Sequence, residues 1–381
     1  FYVIKNVNKI DPFLISVVSN SDHWLFVSST GGLTAGRVSP ETALFPYITA
    51  DKIHESTPHT GCKTLFSTII DGHRYEWEPF NKEHDGRYAT SRNLYKNVLG
   101  NKICFEEINH DLDLVFRYCW ASSTAYGFVR TCELENLGHD NLNIELVDGL
   151  QNILPAGTPR FAQTNVSNLV DAYKWAELDE ATGLALYSLN SGITDRAEPC
   201  ESLRATTVFS LGLSGHRILL SSSQLGRFRI GAAMTQEVHK RGVRGAYLVN
   251  KTLRLAPGSG HSWQLVSKVE QTQAQVAALR SQLRAPAALL DSINRSIDSG
   301  TDELARIMAH ADAFQSTAEE DGTVHHYANV LFNTMRGGIF NCHYQVPAHD
   351  FRNSIRHLNR NVYKTHREML DALPDELDYP A

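Results

Sequence analysis

The stretch Leu112-Asp113-Leu114-Val115-Phe116-Arg117-Tyr118-Cys119-Trp120 decides the fold. Its large apolar side chains recur at alternate positions, so Leu112, Leu114, Phe116 and Tyr118 share one face of an extended chain, as in a strand with one side on a core. Similar runs flank it. Lys102-Ile103-Cys104-Phe105-Glu106-Glu107-Ile108 precedes it, and Phe128-Val129-Arg130-Thr131-Cys132-Glu133-Leu134-Glu135-Asn136 follows. Leu142-Asn143-Ile144-Glu145-Leu146-Val147-Asp148 comes next, across Leu137-Gly138-His139-Asp140-Asn141. Towards the N-terminus, strands are expected at 13–18, 23–27 and 63–70, the last ending at the turn signal Asp71-Gly72. Further strands are expected at 182–190, 204–213, 216–222, 245–255 and 262–270. Many short strands separated by turns point to a mainly β fold, a large antiparallel sandwich or barrel.

The pattern changes near Gln271, where Ala, Leu, Gln and Arg begin to dominate. Val276, Leu279 and Leu283 lie on one helical stripe, and Pro286 marks a break before a second helix through Leu289, Leu290 and Ile293. Gly300 is expected to end that helix, with Thr301 capping the next and Asp302 and Glu303 in its first turn. Further helices are expected at 323–336, 348–360 and 361–373, with Gly337-Gly338 between the first two. The apolar stripes of this tail need cover, and the chain stops just after a helix. The expectation is that more helices follow in the natural protein.

The chain has 381 residues, 42% hydrophobic and 20% charged, with a net charge of −6. This is ordinary globular composition. It lacks the basic footprint of a nucleic-acid binder, and no apolar run approaches the roughly 20 residues of a membrane-spanning helix. The six cysteines, Cys62, Cys104, Cys119, Cys132, Cys200 and Cys342, are widely spaced with no CxxC pair. Reduced thiols in a cytoplasmic protein are the simplest expectation. The chain begins at Phe1, so the absence of a visible signal peptide decides little. The Asn-x-Ser/Thr triplets at Asn165, Asn250 and Asn294 are short enough to arise by chance and carry no weight.

Two stretches carry a family resemblance. The first is Ser28-Ser29-Thr30-Gly31-Gly32-Leu33-Thr34-Ala35-Gly36-Arg37, continuing to Ala43-Leu44-Phe45-Pro46-Tyr47-Ile48-Thr49-Ala50-Asp51-Lys52-Ile53. The second is Val147-Asp148-Gly149-Leu150-Gln151-Asn152-Ile153-Leu154-Pro155, followed by Asp171-Ala172-Tyr173-Lys174-Trp175-Ala176-Glu177. With the strand-to-helix switch, they resemble the N-terminal region of cellobiose-phosphorylase-like glycoside phosphorylases. The resemblance implies a galactose-mutarotase-like β supersandwich over 1–270, linker helices over 271–322, and the start of a truncated α/α barrel over 323–381. It also implies a parent that is an inverting phosphorylase or related glycosidase, with inorganic phosphate as co-substrate and no bound cofactor. The catalytic Asp of such enzymes lies in the barrel, so no catalytic residue transfers to this chain, and the fragment is expected to be inactive alone. Expected partners are carbohydrate, the missing C-terminal catalytic barrel and a second copy in a homodimer, with neither nucleic acid nor membrane. Two other functions compete: a stand-alone carbohydrate-binding or assembly module, and a mutarotase-like sugar epimerase. The epimerase would need a histidine acid and a carboxylate base facing one sugar pocket.

Candidate binding residues are few. Residues 31–37 read as a glycine-rich loop after a strand. Gly32 would let backbone N–H groups approach a ligand, and Arg37 would clamp a phosphate or carboxylate; a tight turn with a structural arginine is the plainer alternative. No GK[ST] follows, so it is not a P-loop. Among the five tryptophans, Trp120 and Trp263 read as core. Trp77, in Tyr75-Glu76-Trp77-Glu78-Pro79-Phe80, is the best surface ring for stacking on a sugar, although edge packing competes. Asp195, Glu198 and Glu201 form an acidic cluster with Arg196 and Arg204 as salt-bridge partners, more in keeping with loop ordering than with paired catalytic carboxylates. His325-His326, Cys342-His343 and His349 lack zinc-ligand spacing, and His54-Glu55 lacks the second histidine of HExxH, so no metal site is expected.

Overall fold

The computed structural model describes residues 1–48, 50–192, 202–335 and 345–378. The chain divides into two compact units, Phe1–Gly300 and Thr301–Ala381.

The first unit is built on antiparallel sheets. Ten strands form the larger one, in the order Tyr2–Ile4, Thr90–Lys96, Lys102–Asn109, Leu114–Ser123, Gly127–Asn136, Gly260–Thr272, Arg204–Leu211, Leu184–Leu189, Lys174–Asp179 and His239–Arg241. Five form the second, in the order Arg217–Leu219, Gly245–Leu255, Leu142–Ile153, Gly61–Ile70 and His73–Trp77. Leu14–Val17, His23–Ser28 and Leu33–Arg37 make a three-stranded sheet. The main core joins side chains of all three sheets. Leu114, Phe116, Tyr118 and Trp120 enter it on alternate positions, meeting Phe66, Leu146, Leu150 and Tyr247 of the five-stranded sheet. The face read from the opening stretch is therefore a core face.

The reverse faces are also covered. Val129, Phe209 and Val266 of the ten-stranded sheet lie under Leu279, Leu289 and Ile293. The helices Gln273–Gln282 and Pro286–His310 supply these three residues. Thr272 starts the first of them with a capping box, its hydroxyl and the Gln275 side chain satisfying each other's backbone N–H groups. On the five-stranded sheet, Leu65, Val147 and Leu248 are covered by Phe228 and Met234. Sheets buried on both sides account for doubly apolar pairs such as Leu65-Phe66 and Leu146-Val147.

Four expectations need correction. Gly300 does not end a helix: Pro286–His310 runs straight through it. A Cβ at Gly300 would lie 2.8 Å from Asn20 Oδ1, so the glycine serves a close approach, not a stop. Residues 33–37 are a strand, and only the turn before it is loop. The edge segments Tyr2–Ile4, His73–Trp77, Thr90–Lys96, Lys174–Asp179 and His239–Arg241 are strands that apolar alternation did not disclose. Finally, Cys104 and Cys119 are directly opposed on neighbouring strands and form a disulfide, with Cα atoms 4.0 Å apart; Cys62 and Cys132 are free thiols.

In the second unit, Glu320–Met335 buries Tyr327, Val330 and Leu331. Ala348–Leu358, Arg360–Thr365 and Arg367–Asp371 follow, with a two-stranded ladder between Gln345–Pro347 and Glu376–Asp378. The Arg352 guanidinium donates to the Leu370 carbonyl at 3.1 Å. Among the described residues, no helix is long and apolar enough to cross a membrane.

Candidate functional site

The three residues singled out from the sequence do not form one site. A Cβ on Gly32 would fall 2.0 Å from the Ile53 carbonyl oxygen, so this glycine presses its loop onto the segment after residue 52. Arg37 is committed to Asp22 in a bidentate pair, Nε to Oδ1 and Nη2 to Oδ2, both 2.8 Å. That hydrogen bonding holds the Asp22 carboxyl below its ordinary value. Trp77 is only 1% exposed, packs against Phe66 and donates its indole N–H to Glu107 Oε1 at 2.8 Å. It offers no open face for a sugar.

Three residues further on, the same segment does reach an opening. Thr30, the turn around His54 and Pro58, the strand start Cys62-Lys63-Thr64, and Glu78-Pro79-Phe80 enclose a cleft of about 300 Å³, with Arg229 at its wall. The size falls within the range of small-molecule sites, roughly 300–1,000 Å³. Phe80 has φ 63°, a left-handed conformation costly for a bulky side chain. Glu107 stabilises it: the carboxylate accepts from Phe80 N at 2.6 Å, Trp77 Nε1 at 2.8 Å and Arg92 Nε at 2.6 Å. The buried Glu107 carboxylate thus fixes the Phe80 backbone at the cleft and also anchors Trp77, while the half-buried Phe80 ring packs against Phe105, Phe116 and Tyr118.

The polar wall is equally fixed. Glu78 bonds Lys63 through one oxygen and Arg229 Nη2 through the other, at 2.5 Å, while Arg229 Nη1 reaches Glu76 Oε1 at 2.8 Å. Burial raises the Glu78 pKa, but the Lys63 and Arg229 charges outweigh it and hold the carboxyl below its ordinary value. Glu78 is therefore an anionic acceptor and a weak base. His54 lines the same cleft, its Nδ1 sharing a 2.6 Å hydrogen bond with Ser28 Oγ. Burial pushes the Cys62 thiol up, so it is not a ready nucleophile.

Beneath Thr64 lies a buried ion pair. Thr64 Oγ1 donates to Asp148 Oδ1 at 2.6 Å, and Arg130 Nη1 contacts both Asp148 oxygens at 2.8 and 2.9 Å. Trp263 Nε1 adds a bond of 2.8 Å to Oδ2, and the Arg130 guanidinium stacks 4.6 Å from the Tyr118 ring centroid. Both charged side chains have zero exposure. Burial alone would lower the Arg130 pKa, but Asp148 leads the opposing interactions and the net shift is well upward. The network carries the cleft floor on a rigid base.

Asp195, Glu198 and Glu201, together with Arg196, lie outside the described residues, as do Cys342 and His343. His326 Nε2 pairs with the Asp312 carbonyl, and His349 with Asp350. Among the described residues, no group of three His, Cys, Asp or Glu side chains could hold a metal ion. The sequence points to Trp77 as the surface ring of the Tyr75–Phe80 segment, but Trp77 is buried and Phe80 borders the cleft, because the strand ends at Trp77, which alternation does not show. Arg229, about 150 residues from Glu78, gave no local signal.

No family model matches the chain, and no curated protein matches it. Its fold is similar to part of a bacterial glucoamylase solved with acarbose, at 9% identity and TM-score 0.45, covering 78% of this chain and 37% of that one. It is similar to a provisionally assigned aldose 1-epimerase from Escherichia coli K12, at 12% identity and TM-score 0.38, covering 68% and 99%. A provisionally assigned kojibiose phosphorylase from the human microbiome is similar at 10% identity and TM-score 0.32, covering 65% and 27%. The chain thus spans about a third of the glucoamylase and about a quarter of the phosphorylase.

Proposed function

We propose that this chain is the non-catalytic sandwich and linker portion of a carbohydrate-active enzyme, and that the cleft around Phe80 takes a sugar. The parent is read as an inverting glycoside phosphorylase or related glycosidase, using inorganic phosphate in the phosphorolytic case. The observation that carries the sugar site is the fixed juxtaposition of Phe80 with Glu78, Lys63 and Arg229. An aromatic ring suits the C–H face of a pyranose, and charged donors and acceptors already held in place bind hydroxyl groups at low ordering cost. The sequence resemblance supports the wider reading, with residues 323–381 as the beginning of a helical domain.

The test is saturation-transfer NMR and calorimetry with glucose, galactose and β-linked disaccharides. Saturable binding without turnover is expected, weakened about tenfold by Phe80→Ala, equivalent to about 1.4 kcal/mol. Near-UV circular dichroism checks that the variant keeps its fold. Binding of equal strength in wild type and a folded Phe80→Ala variant would overturn the site.

One observation favours a second reading. His54 shares the cleft with Glu55, Glu78 and Glu83, and a sugar epimerase needs a histidine and a carboxylate on one sugar. The strongly paired Glu78 is a poor base, which leaves Glu55 or Glu83 for that role. Polarimetry of α-glucose decides it: catalysed mutarotation abolished by His54→Gln would support the epimerase, and no acceleration over buffer would reject it.

A further inference from the structure

A second and larger cleft, of about 480 Å³, lies on the other side of Glu55, which borders both. It is assembled from segments distant in sequence: Tyr47 and Lys52, Asn152, Arg160, and Asp171 with Lys174, closed by Arg244. A bulge places Asn152 here. The register with Gly245–Leu255 shifts between Gln151 and Ile153, and Asn152 takes φ 57°. Such a bulge re-aims a side chain out of the sheet alternation, and Asn152 Nδ2 donates to Thr60 Oγ1 at 2.9 Å.

The charge balance of this cleft runs against that of the whole chain. The protein carries −6 overall. The described lining residues include four cations, Lys52, Arg160, Lys174 and Arg244, against two carboxylates, Glu55 and Asp171. Asp171 is shared by two of the cations: Oδ1 receives Lys174 Nζ at 2.7 Å, and Oδ2 lies 3.5 Å from Arg244 Nε. One carboxylate cannot neutralise both. The Lys174 side chain is only 7% exposed, so an ammonium ion is held within the wall. Burial pushes its pKa down and Asp171 opposes that shift.

Arg160 is fixed in another way. Its guanidinium lies 5.1 Å from the centroid of the Tyr47 ring. Gln163 ties the two segments together, accepting from Tyr47 N at 3.1 Å and donating to the Thr158 carbonyl at 2.8 Å. Stacking on a ring holds the guanidinium plane while leaving its N–H fork to face another group. Among the described residues, no carboxylate pairs with the side chain of Arg160 or Lys52. A concave surface with excess positive charge focuses its field and concentrates anions.

We propose that this cleft binds an oxyanion, the phosphate of a phosphate ester or the carboxylate of a uronic acid, on a small polar molecule. Arg160 supplies a planar two-point contact, Lys52 and Arg244 flank it, and the buried Lys174–Asp171 pair keeps the wall in place. This site shares Glu55 with the Phe80 cleft, but its cations are its own, and neither proposal depends on the other.

The experiment is calorimetric titration of the full chain at low ionic strength with inorganic phosphate, glucose 1-phosphate, glucuronate and, as neutral control, glucose. Saturable binding of at least one anion is expected, weakening as salt screens the cleft. The double variant Arg160→Gln with Lys52→Gln alters two exposed side chains and is expected to weaken anion binding at least tenfold with an unchanged melting temperature. Arg160→Lys, which keeps the charge but loses the fork, should recover only part of it. The tightest anion identifies the source: glucose 1-phosphate or inorganic phosphate for a phosphate ligand, glucuronate for a uronic acid. Failure of every anion to bind, or equal binding by wild type and the double variant, overturns the proposal. Anion binding that persists in Phe80→Ala separates its outcome from that of the sugar cleft.

Discussion

His23 shows how one residue links local burial to the behaviour of the whole chain. It sits on the strand His23–Ser28, edge-on to Phe128 with ring centroids 5.1 Å apart, its Nδ1 2.8 Å from Ser21 Oγ. Burial first, and then the Arg37 charge, push its imidazole down to about 4 from 6.5. The sign follows from proton uptake. Between pH 6.5 and 4 the unfolded chain protonates this histidine and the native chain does not, so stability falls as pH falls through that window. The shift corresponds to a loss of about 3 kcal/mol by the lower end. His23→Gln should flatten the decline in urea-unfolding free energy between pH 6.5 and 4; parallel wild-type and variant profiles would refute the assignment. Arg37 then has a structural part in the strand edge, bonded to Asp22 and repelling a proton from His23.

At the scale of elements, the hairpin of Lys102–Asn109 and Leu114–Ser123 joins the opening stretch to its neighbour. Its register places Cys104 opposite Cys119, a pairing that linear spacing alone does not reveal. Peptide mapping under non-reducing conditions should recover these two cysteines in one linked peptide, and Cys62 and Cys132 as separately alkylated thiols. Free alkylation of Cys104 and Cys119 without a reductant would contradict the bridge. The helix Pro286–His310 gives the opposite lesson. Glycine is a weak helix former, about 1 kcal/mol worse than alanine, and this suggested a stop at Gly300. Here the helix continues through Gly300 with the Asn20 side-chain tip 2.8 Å from where a Cβ would sit, so the tertiary context overrides local propensity.

For the whole first unit, the Arg130–Asp148 pair is a buried ionic tie between sheets, beside the Trp77–Glu107 bond. Arg130 belongs to the ten-stranded sheet, and Asp148 and Thr64 to the five-stranded one. Asp148→Asn would leave a buried guanidinium uncompensated and should cost about 3–5 kcal/mol in urea unfolding. A loss under 1 kcal/mol would refute the view that breaking this pair leaves an uncompensated buried charge. The sequence by itself determined the antiparallel β class, the core face through Leu114, Phe116 and Tyr118, and the helical turnover near Gln271, because side-chain period is a local property written into consecutive residues. Only the tertiary structure decided which ring meets the cleft, that Arg229 reaches Glu78, and that Tyr47, Arg160, Lys174 and Arg244 share one wall. Those relations depend on strand order, register and a bulge at Asn152, which bring together side chains that no spacing along the chain connects.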